Sequence, residues 1–209
     1  MQRGALRGDL TQSERTDASR KALIGATFRV IAEEGYGAAS LARISEAAGL
    51  SRGLANYHFG TKRKLIEAVI KQITDTYSTT LPALDSGLTG YECIEALFTT
   101  YLRGLQNKGR EYSTSRVMLL LSAEAVTGAP ETEAAIRVAY EAVRKTIEEY
   151  LDRGLEDGSI RPSVAPRQTA LLLHGLLRGI VLQHFLASDD SELLLVEHGV
   201  RDLLTILRT

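Results

Sequence analysis

The stretch Ser40–Phe59, SLARISEAAGLSRGLANYHF, decides the reading of this chain. It spells two short helices joined by Ala48-Gly49-Leu50-Ser51. Ser40 and Ser51 stand where a side-chain oxygen caps a helix start, and Gly49 permits the sharp turn between the two. Helices this short are not stable alone, so both must pack on a third. Small Ser45 and Ala48 allow close approach, while Leu41, Ile44, Leu50, Ala55 and Phe59 form the inward set. Two short helices meeting at a glycine turn have the spacing of a helix-turn-helix, whose second helix enters the major groove of DNA.

That geometry makes the outward face readable. Arg52 and Asn56 lie one turn apart, as do Gly53 and Tyr57, so each pair shares a side. Arginine takes guanine bidentately and asparagine takes adenine, and Gly53 leaves room for close approach. Ser51, Tyr57, His58 and Lys62 are within reach of phosphates, with help from the amide ends of the third and fourth helices. Ser40 and Arg43 complete the DNA-facing set, Arg43 through backbone or a base. Other uses stay open: His58 can simply pack, Tyr57 can cover the small core, and Lys62-Arg63-Lys64 can be a solvated helix start. Three cations at a helix N-terminus oppose its dipole, which favours an external anion. Arg3 and Arg7 lie on an arm able to follow the minor groove.

Working outward, both flanks read as helix. Thr16 or Asp17 caps a first helix to about Glu34, and Thr61 caps a long fourth helix to about Thr80, stopped by Pro82. Thr89 with Glu92 makes a capping box for a helix to about Asn107. Further helices are expected over 113–126, 131–157 and 166–187, and a last one, capped by Asp189 with Glu192, runs to about Leu207. No run of alternating apolar and polar residues with turn chemistry appears, so the expected class is all-α. The expected division is a basic arm over 1–15, a helix-turn-helix DNA-binding domain over 16–60, and a helical effector-binding and dimerisation body over 61–209.

Composition narrows the function classes. The 209 residues are 44% hydrophobic and 24% charged with a net charge of −1, which excludes disorder and a uniformly basic binder. Charge is uneven: residues 1–75 carry 12 basic and 8 acidic residues, the remainder 13 and 18. A basic first third suits contact with a polyanion. The single cysteine, Cys93, excludes an intrachain disulfide and CxxC zinc sites, and reads as a small buried apolar residue. No cofactor motif or metal-ligand spacing is present. Residues 1–16 lack the apolar core of a signal peptide, and Arg178 near the centre of the apolar run 170–187 argues against a membrane span. A cytoplasmic location is the expectation.

The residues Gly35–Gly53, continued by Tyr57-His58-Phe59-Gly60-Thr61-Lys62 and Leu65, closely resemble the TetR family of bacterial transcription regulators over about residues 16–70. The resemblance implies a three-helix DNA-binding head and an all-helical body that dimerises and often holds a small inducer. It departs at Asn56, where the family commonly has a phosphate-contacting tyrosine, and at Ser45, which replaces a usual alanine. Gly158-Ser159-Ile160-Arg161-Pro162 and the helix after it look like the body of the choline-responsive BetI type, though the ligand does not transfer with that likeness.

In the body, the helices from Pro166 and Asp189 carry leucines on more than one face, more than one packed stripe needs. One side is expected against the body and the other against a twin, giving a homodimer through the two C-terminal helices. Two heads then engage a palindromic operator in double-stranded DNA, and an inducer that shifts the fourth helix misplaces them. Tyr77, Phe98, Tyr101, Tyr112 and Met118 are candidate pocket walls. His174, Arg178, Gln183 or His184 are candidate polar anchors, with Arg178 facing an acidic ligand or a carboxylate such as Glu124. The reading is thus a dimeric, inducer-released repressor; the alternative is an all-helical small-molecule-binding or enzyme-like protein without DNA binding.

Overall fold

The computed structural model describes residues 11–83, 86–106, 114–187 and 191–209. Among the described residues the chain forms nine α-helices, with no strand beyond one isolated bridge between Ile160 and Arg208. Arg3, Arg7, Tyr112 and Asp189, to which the sequence assigns an arm, a pocket wall and a cap, lie outside the described residues. The chain divides into two compact units, Met1–Leu65 and Ile66–Thr209.

In the first unit, α1 (Gln12–Glu34) starts before the expected cap. The Thr11 hydroxyl accepts from the Glu14 N–H, and the Glu14 carboxylate accepts from the Thr11 N–H at 2.7 Å. This capping box satisfies the orphan donors, so Thr16 is left inside the helix, where its hydroxyl donates to the Gln12 carbonyl. Residues 12–15 therefore belong to α1 and not to an arm. Two short helices, α2 (Leu41–Ala47) and α3 (Arg52–Phe59), pack on it and on each other. Leu23, Ile24, Phe28, Val30 and Ile31 of α1 meet Ile44, Ala55 and Phe59 in the buried core, while Leu41 and Leu50 are only half-buried. Gly49 between them has φ 66°, the left-handed region. Ser45 is fully buried and its hydroxyl has no hydrogen-bond partner. Its replacement of alanine therefore carries a polar cost, not merely a change of size.

Helix α4 (Lys62–Thr80) follows, and Thr61 caps it through the Lys64 N–H. The second unit continues with α5 (Gly90–Gln106), α6 (Thr114–Thr127), α7 (Pro130–Glu156), α8 (Pro166–Leu186) and α9 (Ser191–Leu204), closed by a 3-10 turn, Thr205–Leu207. The Thr89–Glu92 box opens α5 as the spacing predicts. Helix α7 is central, packing on α5, α6 and α8, around a core that includes Ile94, Leu97, Ile147, Leu151, Leu177 and Val181.

One crossing is unusually tight. A Cβ at Gly90 would fall on the Tyr150 carbonyl and the Gly154 backbone, and one at Gly154 would fall on the Ile160 side chain. The Asp157 carboxylate locks the same corner by accepting from the Gly90 N–H at 2.8 Å, and Ser159 accepts from the Tyr91 N–H at 3.1 Å. Backbone atoms cannot swing aside as side chains do. Gly90→Ala should therefore destabilise the second unit by about 1–3 kcal/mol. A thermal melt at or above the wild-type temperature would contradict this packing.

Candidate functional site

The first unit turns one face of α3 outward. Ala55 and Phe59 are buried against α1, whereas Ser51, Arg52, Gly53, Asn56 and Tyr57 are exposed, Tyr57 at 76%. Ser51 holds the N-cap position with extended backbone, yet its hydroxyl makes no cap bond. Ser40, also exposed, spends its hydroxyl on the Arg43 N–H at 3.1 Å, capping α2. This arrangement presents an arginine, an amide and a phenol on one helical face, beside a glycine whose missing side chain would meet nothing within 4 Å among the described residues.

Three residues of the expected DNA-facing set are committed elsewhere. His58 Nε2 lies 2.7 Å from the Ser19 hydroxyl of α1, so it ties α3 to α1. Lys62 donates to the Tyr36 carbonyl at 2.6 Å and its ammonium sits 3.5 Å from the Tyr36 ring centroid. Arg43 grips Glu34 with Nη2 at 2.6 Å and Nε at 3.1 Å. That bond holds the Glu34 carboxyl below its ordinary range and raises Arg43. Local spacing could not reveal these partners, which stand 39, 26 and 9 residues away.

The same contacts identify positioning residues that sequence reasoning missed. Arg29 of α1 donates to the Ala47 carbonyl at the end of α2 at 2.6 Å, and the Arg20 guanidinium lies 5.6 Å from the Phe59 ring centroid. With Ser19, they fix α2 and α3 on α1. Their signal was the polar run along α1, which resembles any solvated helix face.

The second unit gathers some of the expected pocket residues and not others. Tyr77 and Tyr101 stack at 4.7 Å with an interplanar angle of 7°, and the Tyr77 hydroxyl is 2.8 Å from that of Ser115. Burial raises the Tyr101 phenol above its ordinary value. Arg178 lies over the Tyr140 ring at 5.3 Å, and the His174 ring meets the same Tyr140 edge-on at 4.7 Å. Met118 is buried nearby in sequence to Ser122, whose hydroxyl donates to the Met118 carbonyl and contacts the Tyr140 hydroxyl at 2.6 Å. Phe98 instead lines a crevice of about 30 Å³ with Leu102, Val200 and Leu204, no larger than a water. Gln183 is exposed, and His184 is half-buried against Phe185. Glu124 does not pair with Arg178, whose Nη2 is buried without a hydrogen-bond partner.

A helix-turn-helix head on a helical body defines a class of DNA-binding regulators, and comparison with known proteins agrees. Residues 23–69 match the bacterial regulatory proteins of the tetR family, and residues 92–207 match the C-terminal part of BetI-type transcriptional repressors. The chain belongs to the TetR family of transcription regulators, with a BetI-type body. Among curated relatives, the HTH-type transcriptional regulator BetI of Vibrio atlanticus is 33% identical over 102 residues, covering 47% of this chain and 50% of that protein. The HTH-type transcriptional repressor AcnR of Corynebacterium efficiens is 27% identical over 191 residues, 91% of each. The match spans about half the length of the BetI relatives. A TetR-family regulator from Agrobacterium tumefaciens shares the fold with a TM-score of 0.77, at 17% identity over 93% of this chain and 100% of that one.

Burial makes His174 pH-sensitive. Desolvation, then the charges of Arg178 and Arg144, lower its imidazole from 6.5 to about 4. The folded state therefore prefers neutral His174, and its contribution is complete above pH 6.5. Between 6.5 and 4 the unfolded chain binds the proton first, so stability falls with pH by about 3 kcal/mol. Urea unfolding across this window should show the loss, and His174→Gln should flatten it; an unchanged slope in the variant would assign the loss to other groups.

Proposed function

We propose that this protein is a repressor that binds a palindromic operator as a homodimer and is released by a small-molecule inducer. The observation that carries the reading is the α3 face: Arg52, Gly53, Asn56 and Tyr57 are turned to solvent while the opposite face is buried. Arg52 and Asn56 supply the donors and acceptors that base edges require. Tyr57 and the exposed Ser40 and Ser51 supply phosphate contacts. His58, Lys62 and Arg43 hold the surface in shape, and Lys62 adds positive potential. In this reading Asn56, in place of a phosphate-contacting tyrosine, moves specificity onto the base edges. A cytoplasmic location follows from the same function.

Gly53 makes the reading testable in an unusual way. Glycine inside a helix costs roughly 0.5–1 kcal/mol relative to alanine, and among the described residues nothing comes within 4 Å of a Cβ placed there. A glycine there suits an outside surface that must come close. Gly53→Ala should therefore raise head stability by about 0.5–1 kcal/mol yet weaken binding to duplexes selected from a random pool. Wild-type affinity for those duplexes should fall steeply with salt. Salt-insensitive retention, or a Gly53→Ala protein that binds normally, would defeat the proposal.

The dimer is supported by apolar surface on the last two helices. Leu172 is 74% exposed, Leu186 77%, Leu194 58% and Leu195 73%, although α8 buries Leu173, Leu177, Ile180 and Val181 in the core. Helix α8 is long and apolar enough to cross a membrane by length and composition, but a centrally placed Arg178 and a packed inner face favour a protein partner. A second copy apposes these leucines, and two-fold symmetry places two heads on one operator. The α4 helix, which carries the chain from one unit into the next, transmits the inducer's effect. Leu172→Glu with Leu195→Glu should give a monomer by light scattering at micromolar concentration, with intact helical content and lost operator retention. A wild-type monomer would remove the two-headed mechanism.

A further inference from the structure

We propose that the inducer is a small organic monocarboxylate whose charge is taken by Arg178; this deepens, and rests on, the inducer-released regulator proposed above. Arg178 sits midway along α8, one turn after His174, and both residues lie against Tyr140 of α7. The Tyr140 ring holds the guanidinium from one side. No carboxylate holds it from the other: Arg178 forms no ion pair among the described residues, and Nη2 is buried with its hydrogen-bonding capacity unused. The residue as a whole is only half-buried, so the cation can be approached.

A guanidinium nitrogen removed from water without a hydrogen-bond partner is costly, and the neighbours do not bond it. Tyr140 offers a π face and a hydroxyl already engaged with Ser122. Arg144, the other nearby cation, is spent on Glu141 and brings no net charge. His174 is neutral at ordinary pH, because burial and the two arginines oppose its protonation. The cluster is therefore left with one uncompensated positive charge, which one anionic group neutralises. The planar fork of a guanidinium matches a carboxylate in particular. The Tyr77–Tyr101 pair, stacked at 4.7 Å, belongs to the apolar core of the same unit. The same charge repels a quaternary ammonium ligand, so likeness of the body to the BetI type does not bring its cation.

The test pairs acids with neutral copies of themselves. Benzoate, phenylacetate and hexanoate, their three amides, and choline are added to the full-length protein, and thermal melting and duplex retention are both read. At least one carboxylate should raise the melting temperature, by about 5–10 °C at a hundredfold excess over its Kd, and release the duplex. The amides and choline should do neither. Arg178→Met should melt at the wild-type temperature or higher, since an unpaired cation is removed, and should lose the carboxylate shift; Arg178→Lys should keep part of it. No shift with any acid, equal shifts with amides or choline, or a full shift in Arg178→Met overturns the inference. Duplex binding without a carboxylate response sinks this inference alone, whereas a carboxylate shift in a protein that never holds DNA sinks the regulator reading and leaves the anion site standing.

Discussion

Everything in the first unit depends on α1 doing for α2 and α3 what they cannot do for themselves. Helices of seven and eight residues do not persist in water. Here they exist because α1 buries their apolar faces and then fixes their orientation with polar contacts at their ends. Arg29 takes the last carbonyl of α2, Ser19 takes the ring of His58, and Arg20 covers Phe59. The apolar contacts provide most of the stability. The polar ones determine which way α3 faces, and that orientation is what a groove-reading helix needs.

The second unit solves a different problem. Its core around α5, α7 and α8 is apolar and close-packed, down to the backbone approach of Gly90 to Gly154. Within it lies a polar set, Tyr77, Tyr101, Tyr140, His174 and Arg178, which packing alone would have replaced with aliphatic residues. Most of these groups satisfy one another through stacking or hydroxyl contacts. Arg178 does not. Burial, ahead of the charges of Arg178 and Arg144, holds His174 neutral beside it.

Much of this was legible in one dimension. Helix-period apolar residues, the Gly49 turn and the Thr89–Glu92 box act over a few residues, so the all-α class, the two short helices and most helix boundaries could be read directly. The first cap is hard to read because Thr11-x-x-Glu14 stands in a polar stretch with no apolar repeat beside it. The exposed residues Arg52, Gly53, Asn56 and Tyr57 were placed correctly on one face by the helical repeat alone. Helical spacing does not tell Phe98, which lines only a small crevice, or the exposed Gln183 from residues such as Tyr140 and Arg178 that meet one another, because that difference is made by packing.

The sequence by itself determined which segments are helical, which face of α3 is outward and which family the chain belongs to, because capping, turn chemistry and periodicity are local. Only the tertiary structure decided what His58, Lys62, Arg43 and Arg178 do. Each is a polar group whose role is set by its neighbours: distant residues for His58, Lys62 and Arg43, and for Arg178 the Tyr140 ring, with Nη2 unbonded among the described residues. A cation looks the same in sequence whether it meets a phosphate, a tyrosine or nothing; the difference is made by what folding brings within three ångströms of it.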